Sequence, residues 1–446
     1  MSDYPQLLSE LPSDWSILFI EEIGEVISGG TPSRSNPRYW GGEIPWVTPG
    51  EVTGLGRKCL EKTDEKITTE GLVRSGAKLL PPNSLLITTR ASLGAAALNA
   101  APATTNQGFK SIAFTKDFSA DYYYHWSTKL KDELVRLASG TTFLEISGSQ
   151  FRKICVPAPP HAEQLKIACI LDTLDTQIQK TEALIAKLEK VKEGLLHDLL
   201  TRGIDENGQL RPSPEQAAEL YKESPLGLIP REWGLESLGQ CLSQYGGFIQ
   251  TGPFGSQLHA EEYVNEGVPV VMPQYMRDIE VSKENIAQIT EERARDLSRH
   301  RVSEGDLLYS RRGDLSRCSF MSESNEGWLC GTGCLLLRPT KYINGYWLAN
   351  IYKQPSVQSQ VYGMAVGSTM VNLNSEVLAN IIIPIPSLQE QDKVADAIRS
   401  FKKRLLNEVN VLNKLKLQKT GLMNDLLTGH VRVTPLLDQA QTPTPA

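Results

Sequence analysis

The strongest constraint on this chain is that it repeats itself. Leu195-Leu196-His197-Asp198-Leu199-Leu200-Thr201 returns 227 positions later as Leu422-Met423-Asn424-Asp425-Leu426-Leu427-Thr428, and Glu163-Gln164-Leu165-Lys166 returns as Glu390-Gln391-Asp392-Lys393. Between these phrases the apolar positions follow a heptad: Ile167, Leu171, Leu174, Ile178, Ile185, Leu188, Leu195 and Leu199. The second copy places Val394, Ile398, Phe401, Leu405, Leu412, Leu415, Leu422 and Leu426 in the same register. A stripe of this width is a coiled-coil seam, and two matched copies in one chain most simply pack on each other. Each helix of about 40 residues would be ~60 Å long.

The duplication organises the rest. Leu11-Pro12-Ser13-Asp14-Trp15 opens one half and Ile229-Pro230-Arg231-Glu232-Trp233 the other. Short strands punctuated by turn residues follow, such as Ser84 to Thr88 and Asp306 to Ser310, with helical patches at Tyr122 to Ala138 and Glu291 to Arg299. Prolines 157 and 159, repeated as 384 and 386, end a strand and launch each long helix. In the second copy Ser387 and Glu390 have the form of a capping box. The expectation is an α+β chain with a pseudo-two-fold repeat: mixed domains at 1–155 and 229–382, separated by two long helices at 156–202 and 383–430 that form an antiparallel coiled coil. A Pro-, Gly- and Ser-containing linker at 203–228 and a disordered tail at 431–446 complete it.

Composition narrows the function classes. No segment approaches the roughly 20 apolar residues of a membrane span, and the start carries no signal pattern, so no membrane is expected and the address is cytoplasmic. The seven cysteines form no Cys-x-x-Cys pair; Cys330 and Cys334 are the nearest two and are expected to pack rather than bind metal. A net charge of −6 excludes a simple polycation but not local basic surfaces. No phosphate loop, dinucleotide fingerprint or catalytic constellation is present, so no catalytic or metal residues are assigned and no cofactor is expected on this chain.

Polar loops bracketed by glycine are the stronger signal. They hold Ser33, Arg34, Asn36 and Arg38, then Thr89, Arg90 and Ser92, then Asn106 and Gln107 in the first half. The second half offers Thr251, Ser256, Gln257, Arg311, Arg312 and Arg317. Gly-Thr loops add Thr141 and Thr142, matched by Ser368 and Thr369. Such side chains donate to phosphates and read base edges. Arg90, Arg311 and Arg312 lead because each follows a strand into a turn. From Arg293 to Arg317 seven arginines face four acids, yet the span Ile229 to Ile381 holds 13 Lys/Arg against 17 Asp/Glu, so composition alone leaves a solvated surface equally open.

The conjunction resembles the specificity subunit of type I restriction-modification systems, HsdS. The resemblance rests on Ile154-Cys155-Val156-Pro157-Ala158-Pro159-Pro160 through Glu163-Gln164, its repeat from Ile381 to Gln391, Gly252-Pro253-Phe254-Gly255-Ser256, and Leu226-Gly227-Leu228-Ile229-Pro230 to Trp233. It implies that each mixed domain is a target recognition domain reading one half of a bipartite, asymmetric site in double-stranded DNA. The helices would set the gap and dock two modification (methyltransferase) subunits, HsdM, through Glu163, Gln164, Ile167, Leu171, Leu174 and Ile178 and their counterparts Glu390, Gln391, Val394, Ile398, Phe401 and Leu405. Restriction subunits, HsdR, would join. S-adenosylmethionine, ATP and magnesium would sit on those partners, leaving this chain non-catalytic. The competing readings are a coiled-coil scaffold joining two protein-binding domains without DNA, and a fused restriction-methylation enzyme whose motifs are missing.

Overall fold

The structure is a computed structural model and describes residues 4–90, 92–139, 144–254, 257–365 and 372–441. The two long helices are α1, His161–Thr201, and α2, Leu388–Leu427. The chain divides into two compact units, residues 1–183 with 409–446, and residues 184–408. Each therefore contains one recognition-type domain and a stretch of both long helices.

In the first unit a five-stranded sheet is built from β1 (Gly24–Ser28), β2 (Cys59–Leu60), β3 (Leu85–Thr88), β4 (Ala96–Asn99) and β5 (Phe109–Phe114), in the order β1-β5-β3-β4-β2. Side chains alternate across it. Leu85, Ile87 and Ile112 join Tyr122, Trp126 and Leu134 of the helix Ala120–Leu137, together with Ile167 and Leu171 of α1 and Leu426 and Leu427 of α2. Leu86, Ala97 and Phe109 face a second core with Val47 and Leu80. The long helices run antiparallel here: Asp175 pairs with Lys419 at 2.5 Å and, further along α1, Glu182 pairs with the earlier Lys416 at 2.7 Å.

The second unit repeats the plan. Its sheet takes the antiparallel order β6-β9-β7-β8 from β6 (Phe248–Thr251), β7 (Leu307–Ser310), β8 (Cys318–Phe320) and β9 (Cys334–Arg338). Leu307, Tyr309, Leu335 and Leu337 pack with Trp347 of the helix Gly345–Tyr352, with Leu199 and Leu200 of α1, and with Val394 and Ile398 of α2. Cys330 and Cys334 lie in the core on the opposite face with Val271, Leu308 and Leu336. Burial pushes the Cys334 thiol far up, so it packs as an apolar group. Every position of the predicted stripe is buried or half-buried.

The repeated Glu-Gln pair has a structural explanation that corrects its assignment to a docking surface. Gln164 accepts from the Ser119 amide at 2.8 Å and donates to the Pro159 carbonyl, while Gln391 accepts from Asn344 at 2.9 Å and donates to Pro386. Each glutamine thus ties the proline-rich entry of its long helix to the start of the domain helix. The glutamates hold buried arginine locks. Glu390 binds Arg211 through both carboxylate oxygens and accepts from the Ile204 amide and the Trp233 indole. Glu163 pairs with Arg432 at 2.7 Å, and Arg432 also takes Asp14 in a bidentate bond. Glu163, Gln164, Ile167, Leu171, Glu390, Gln391, Val394 and Ile398 are all buried, so none presents a face to a partner. Leu174, Ile178, Phe401 and Leu405 are half-buried.

Three smaller expectations change for the same reason. Ser387 does accept from the Glu390 amide at 3.2 Å, but the Glu390 side chain turns to Arg211 instead of completing a capping box. The 203–228 linker is ordered: Arg211 is buried in the lock, and Tyr221–Ser224 pairs with Gly227–Pro230 as a hairpin. Gly203, at φ +66°, lets the chain pass the lock, since a Cβ there would stand 2.0 Å from the Glu390 carboxylate. The tail expected to be disordered from 431 instead carries Arg432, the buried Val433 and a helix at Thr434–Gln441; 442–446 lie outside the described residues.

Candidate nucleic-acid interface

Four loops converge at one end of the first sheet. The Gly30 amide donates to Thr105 at 2.8 Å, Thr89 to Gly108 at 2.7 Å, and Ile146 to Thr89 at 3.2 Å, joining the loops after β1, after β3, before β5 and around 144–147. The same four places converge in the second unit. Gly252 donates to Cys334, Arg311 to Gly333, and Leu373 to Arg311, each at 2.9 Å. Both clusters require glycine after their first strand. A Cβ on Gly29 would stand 1.8 Å from the Asn106 carbonyl oxygen, and one on Gly252 2.2 Å from that of Gly331.

The predicted contact residues divide sharply by environment. In the first unit Ser33, Arg38, Ser92 and Gln107 are exposed, and the Arg38 guanidinium has no side-chain partner among the described residues. Arg34 is exposed but engaged: it forms a bidentate pair with Glu65 and lies 3.8 Å over the Trp40 ring. Asn36 accepts from the Arg38 amide at 3.1 Å, and Asn106 from Gly108 at 2.8 Å, so both amides shape turns. Thr89 is fully buried and cannot reach a ligand at the surface. Arg90 stands 3.7 Å from Glu145, across an isolated bridge.

In the second unit Arg312 is exposed with no side-chain partner among the described residues, whereas Arg311 is half-buried and donates to the Leu373 carbonyl at 3.4 Å. Thr251 is a half-buried member of β6, and Gln257 caps its own loop by accepting from Phe254 at 3.0 Å. Arg317 pairs with Asp314 and donates to Pro273. The arginine-rich stretch is therefore largely neutralised locally. Arg293, Arg295, Arg301 and Arg317 all have carboxylate partners, because local helices and turns bring Glu262, Glu291 and Asp314 beside them. Thr141, Thr142, Ser256, Ser368 and Thr369 lie outside the described residues.

Two features escaped sequence reading. Lys110, in β5, is 6% exposed and has no hydrogen-bond partner among the described residues, and burial pushes its ammonium pKa down. Its only sequence signal is a lone lysine in the run Phe109-Lys110-Ser111-Ile112. In the second cluster Thr332 Oγ1 and Asn372 Oδ1 are buried without a hydrogen-bond partner. Unsatisfied buried polar atoms are costly, so these two stand out beside the exposed loop residues.

The family model described as the type I restriction modification DNA specificity domain matches this chain twice, at residues 12–190 and 251–417. The chain belongs to this family. The two matches coincide with the repeat, and each includes all four loops of one cluster. The MjaIX specificity subunit of Methanocaldococcus jannaschii is 25% identical over 431 residues, covering 96% of each chain. The EcoR124I/EcoR124II specificity subunit of Escherichia coli is 33% identical over 194 residues, 41% of this chain and 47% of that one. The fold resembles the crystal structure of a type I restriction-modification S subunit from M. genitalium, with a TM-score of 0.53 at 16% identity, covering 94% of this chain and 98% of that one. HsdS from Thermoanaerobacter tengcongensis gives a TM-score of 0.50 over 94% and 98%. Type I specificity subunits thus share both its sequence pattern and its fold. Among the described residues no helix is long and apolar enough to cross a membrane.

Proposed function

We propose that this specificity subunit is the non-catalytic DNA reader of a type I restriction-modification complex. Each loop cluster reads one part of an interrupted, asymmetric double-stranded DNA site. The observation that supports this most is the recurrence of one four-loop architecture with different exposed side chains: Arg38, Ser92 and Gln107 in the first unit, Arg312 in the second. Shared backbone with divergent tips is what two half-sites of different sequence require.

Two methyltransferase subunits, HsdM, supply S-adenosylmethionine chemistry, and restriction subunits, HsdR, supply ATP- and magnesium-dependent cleavage. The burial of the Glu-Gln pairs moves the docking role to other residues of the long helices. Leu165, Val411 and Leu417 in the first unit and Val191 and Leu406 in the second are exposed large apolar residues on α1 and α2, with Leu417 at 75%. These side chains are the docking candidates to the extent that they form contiguous apolar patches, since isolated exposed apolar residues are ordinary.

The helices set the gap between the half-sites. Inserting one heptad at matched places in α1 and α2 adds ~10.5 Å of helix, and the preferred gap is expected to change by up to ~3 base pairs. Methylation mapping with the modification subunit present checks this, and an unchanged gap would remove the spacer role. A gel shift on DNA carrying the mapped site tests the reading as a whole; no retention by the assembled complex would refute it.

A further inference from the structure

Each domain is fastened to the long helices by an ionic clamp, and the two clamps have opposite signs. In the first unit the cation belongs to the domain. Lys58, which precedes β2, sends its ammonium 2.6 Å from Asp121 of the domain helix and 2.6 Å from Asp172 of α1. The other oxygen of Asp172 is 2.9 Å from His125, and one turn on Asp175 meets Lys419. These carboxylates are grouped closely enough to suggest a metal site, but lysines already neutralise them.

In the second unit the anion belongs to the domain. The residues 227 positions beyond Asp172 and Asp175 are Arg399 and Lys402, so α2 presents cations where α1 presents acids. Lys402 of α2, Lys353 beside the domain helix and Lys192 of α1 converge on Asp278 at 3.1, 2.9 and 3.9 Å. Partial burial opposes ionisation of Asp278, but Lys353 and Lys402 prevail and hold its carboxyl well below the usual range.

The segment carrying Asp278 is strained in a way that serves the clamp. Strands Met276–Arg277 and Glu280–Val281 pair as a hairpin whose two-residue turn is Asp278-Ile279, with φ of +48° and +103°. Such turns favour Asn-Gly, because a β-branched residue at positive φ is sterically penalised. Ile279 is nevertheless held there, buried in the same core as Tyr346 and Ile398. Backbone strain that the surroundings enforce tends to accompany a functional constraint, and here it delivers the carboxylate to three lysines.

We propose that the two recognition domains are keyed to their own stretches of the helix pair by clamps of opposite polarity, Lys58 with Asp121 and Asp172 in one unit and Asp278 with Lys192, Lys353 and Lys402 in the other. A domain moved to the other position meets like charges unless its helix partners move with it. The inference takes from the proposed function only the role of the domains, and the clamp is tested without DNA.

Hydrogen exchange on the full chain at low salt is the measurement. Asp278→Lys and Lys402→Asp are each expected to speed exchange across residues 276–281 by about tenfold, and Asp278→Lys combined with both Lys353→Asp and Lys402→Asp, which inverts the two closest pairs, to return it to within about threefold of the parent. The acceleration should shrink near 1 M salt, where the screening length falls to ~3 Å. Unchanged exchange in both single variants, or a triple variant no better than either, overturns the clamp.

Polarity is tested separately with a chimera in which residues 16–155 replace the equivalent 234–382. Lys58 then faces Arg399 and Lys402. Adding Arg399→Asp and Lys402→Asp is expected to slow exchange in residues 388–408 by about tenfold relative to the same chimera with the native helix. Equal exchange would overturn the keying.

Discussion

Replacing Arg211 with Ala is expected to destabilise the second unit by about 3–5 kcal/mol, because it leaves the Glu390 carboxylate buried without its counter-charge. Arg211 and Glu390 side chains are both 9% exposed, and Trp233 and the Ile204 amide already use the remaining acceptor capacity. Few compensating moves exist, since Gly203 packs directly against the same carboxylate. Urea-dependent proteolysis of the second unit measures the loss. Replacing both partners with apolar residues, as in Arg211→Met with Glu390→Leu, is expected to recover much of it, because a buried pair that is removed together leaves no orphan charge. A single variant as stable as the parent would show that the lock adds nothing to stability.

Arg312→Ala is expected to weaken specific DNA binding by about 1–3 kcal/mol, roughly 5- to 150-fold, and to relax one position of one half-site. Arg312 carries this expectation because it is exposed at the loop cluster and its guanidinium has no carboxylate partner among the described residues. Arg295→Ala is the matched control: its guanidinium already pairs with Glu291, 3.7 Å away on the same helical turn, and its loss should change binding little. Binding measured at two salt concentrations separates base reading from phosphate contact, since a lost phosphate contact weakens all sequences alike and lowers the salt slope. Equal losses for Arg312 and Arg295 would place the DNA elsewhere.

The parts of the fold legible in the sequence are those governed by local period and turn chemistry. The heptad stripe led to α1 and α2 in the right register, and the apolar runs at 84–88 and 306–310 fell on β3 and β7. Long-range pairing was not legible. Arg211 and Glu390 are 179 positions apart, so a repeated Glu-Gln phrase gave no sign that its glutamates would be buried under arginines from the segments following the helices. Counting charges also misled around Arg293 to Arg317, because what decides availability is whether a carboxylate stands next to each guanidinium. The tail looked unstructured for the same reason: Arg432 orders it, as Arg211 orders the linker, through partners far away in sequence.

The central claim is that two loop clusters on one chain read two separate parts of one DNA site. Single-molecule methylation sequencing of cells expressing this chain with its modification subunits tests it most directly. The predicted result is a single bipartite motif with a fixed gap, absent without the chain, in which Arg312→Ala relaxes one half and Arg38→Ala the other. A continuous motif, methylation independent of the chain, or relaxation of both halves by either substitution would contradict it.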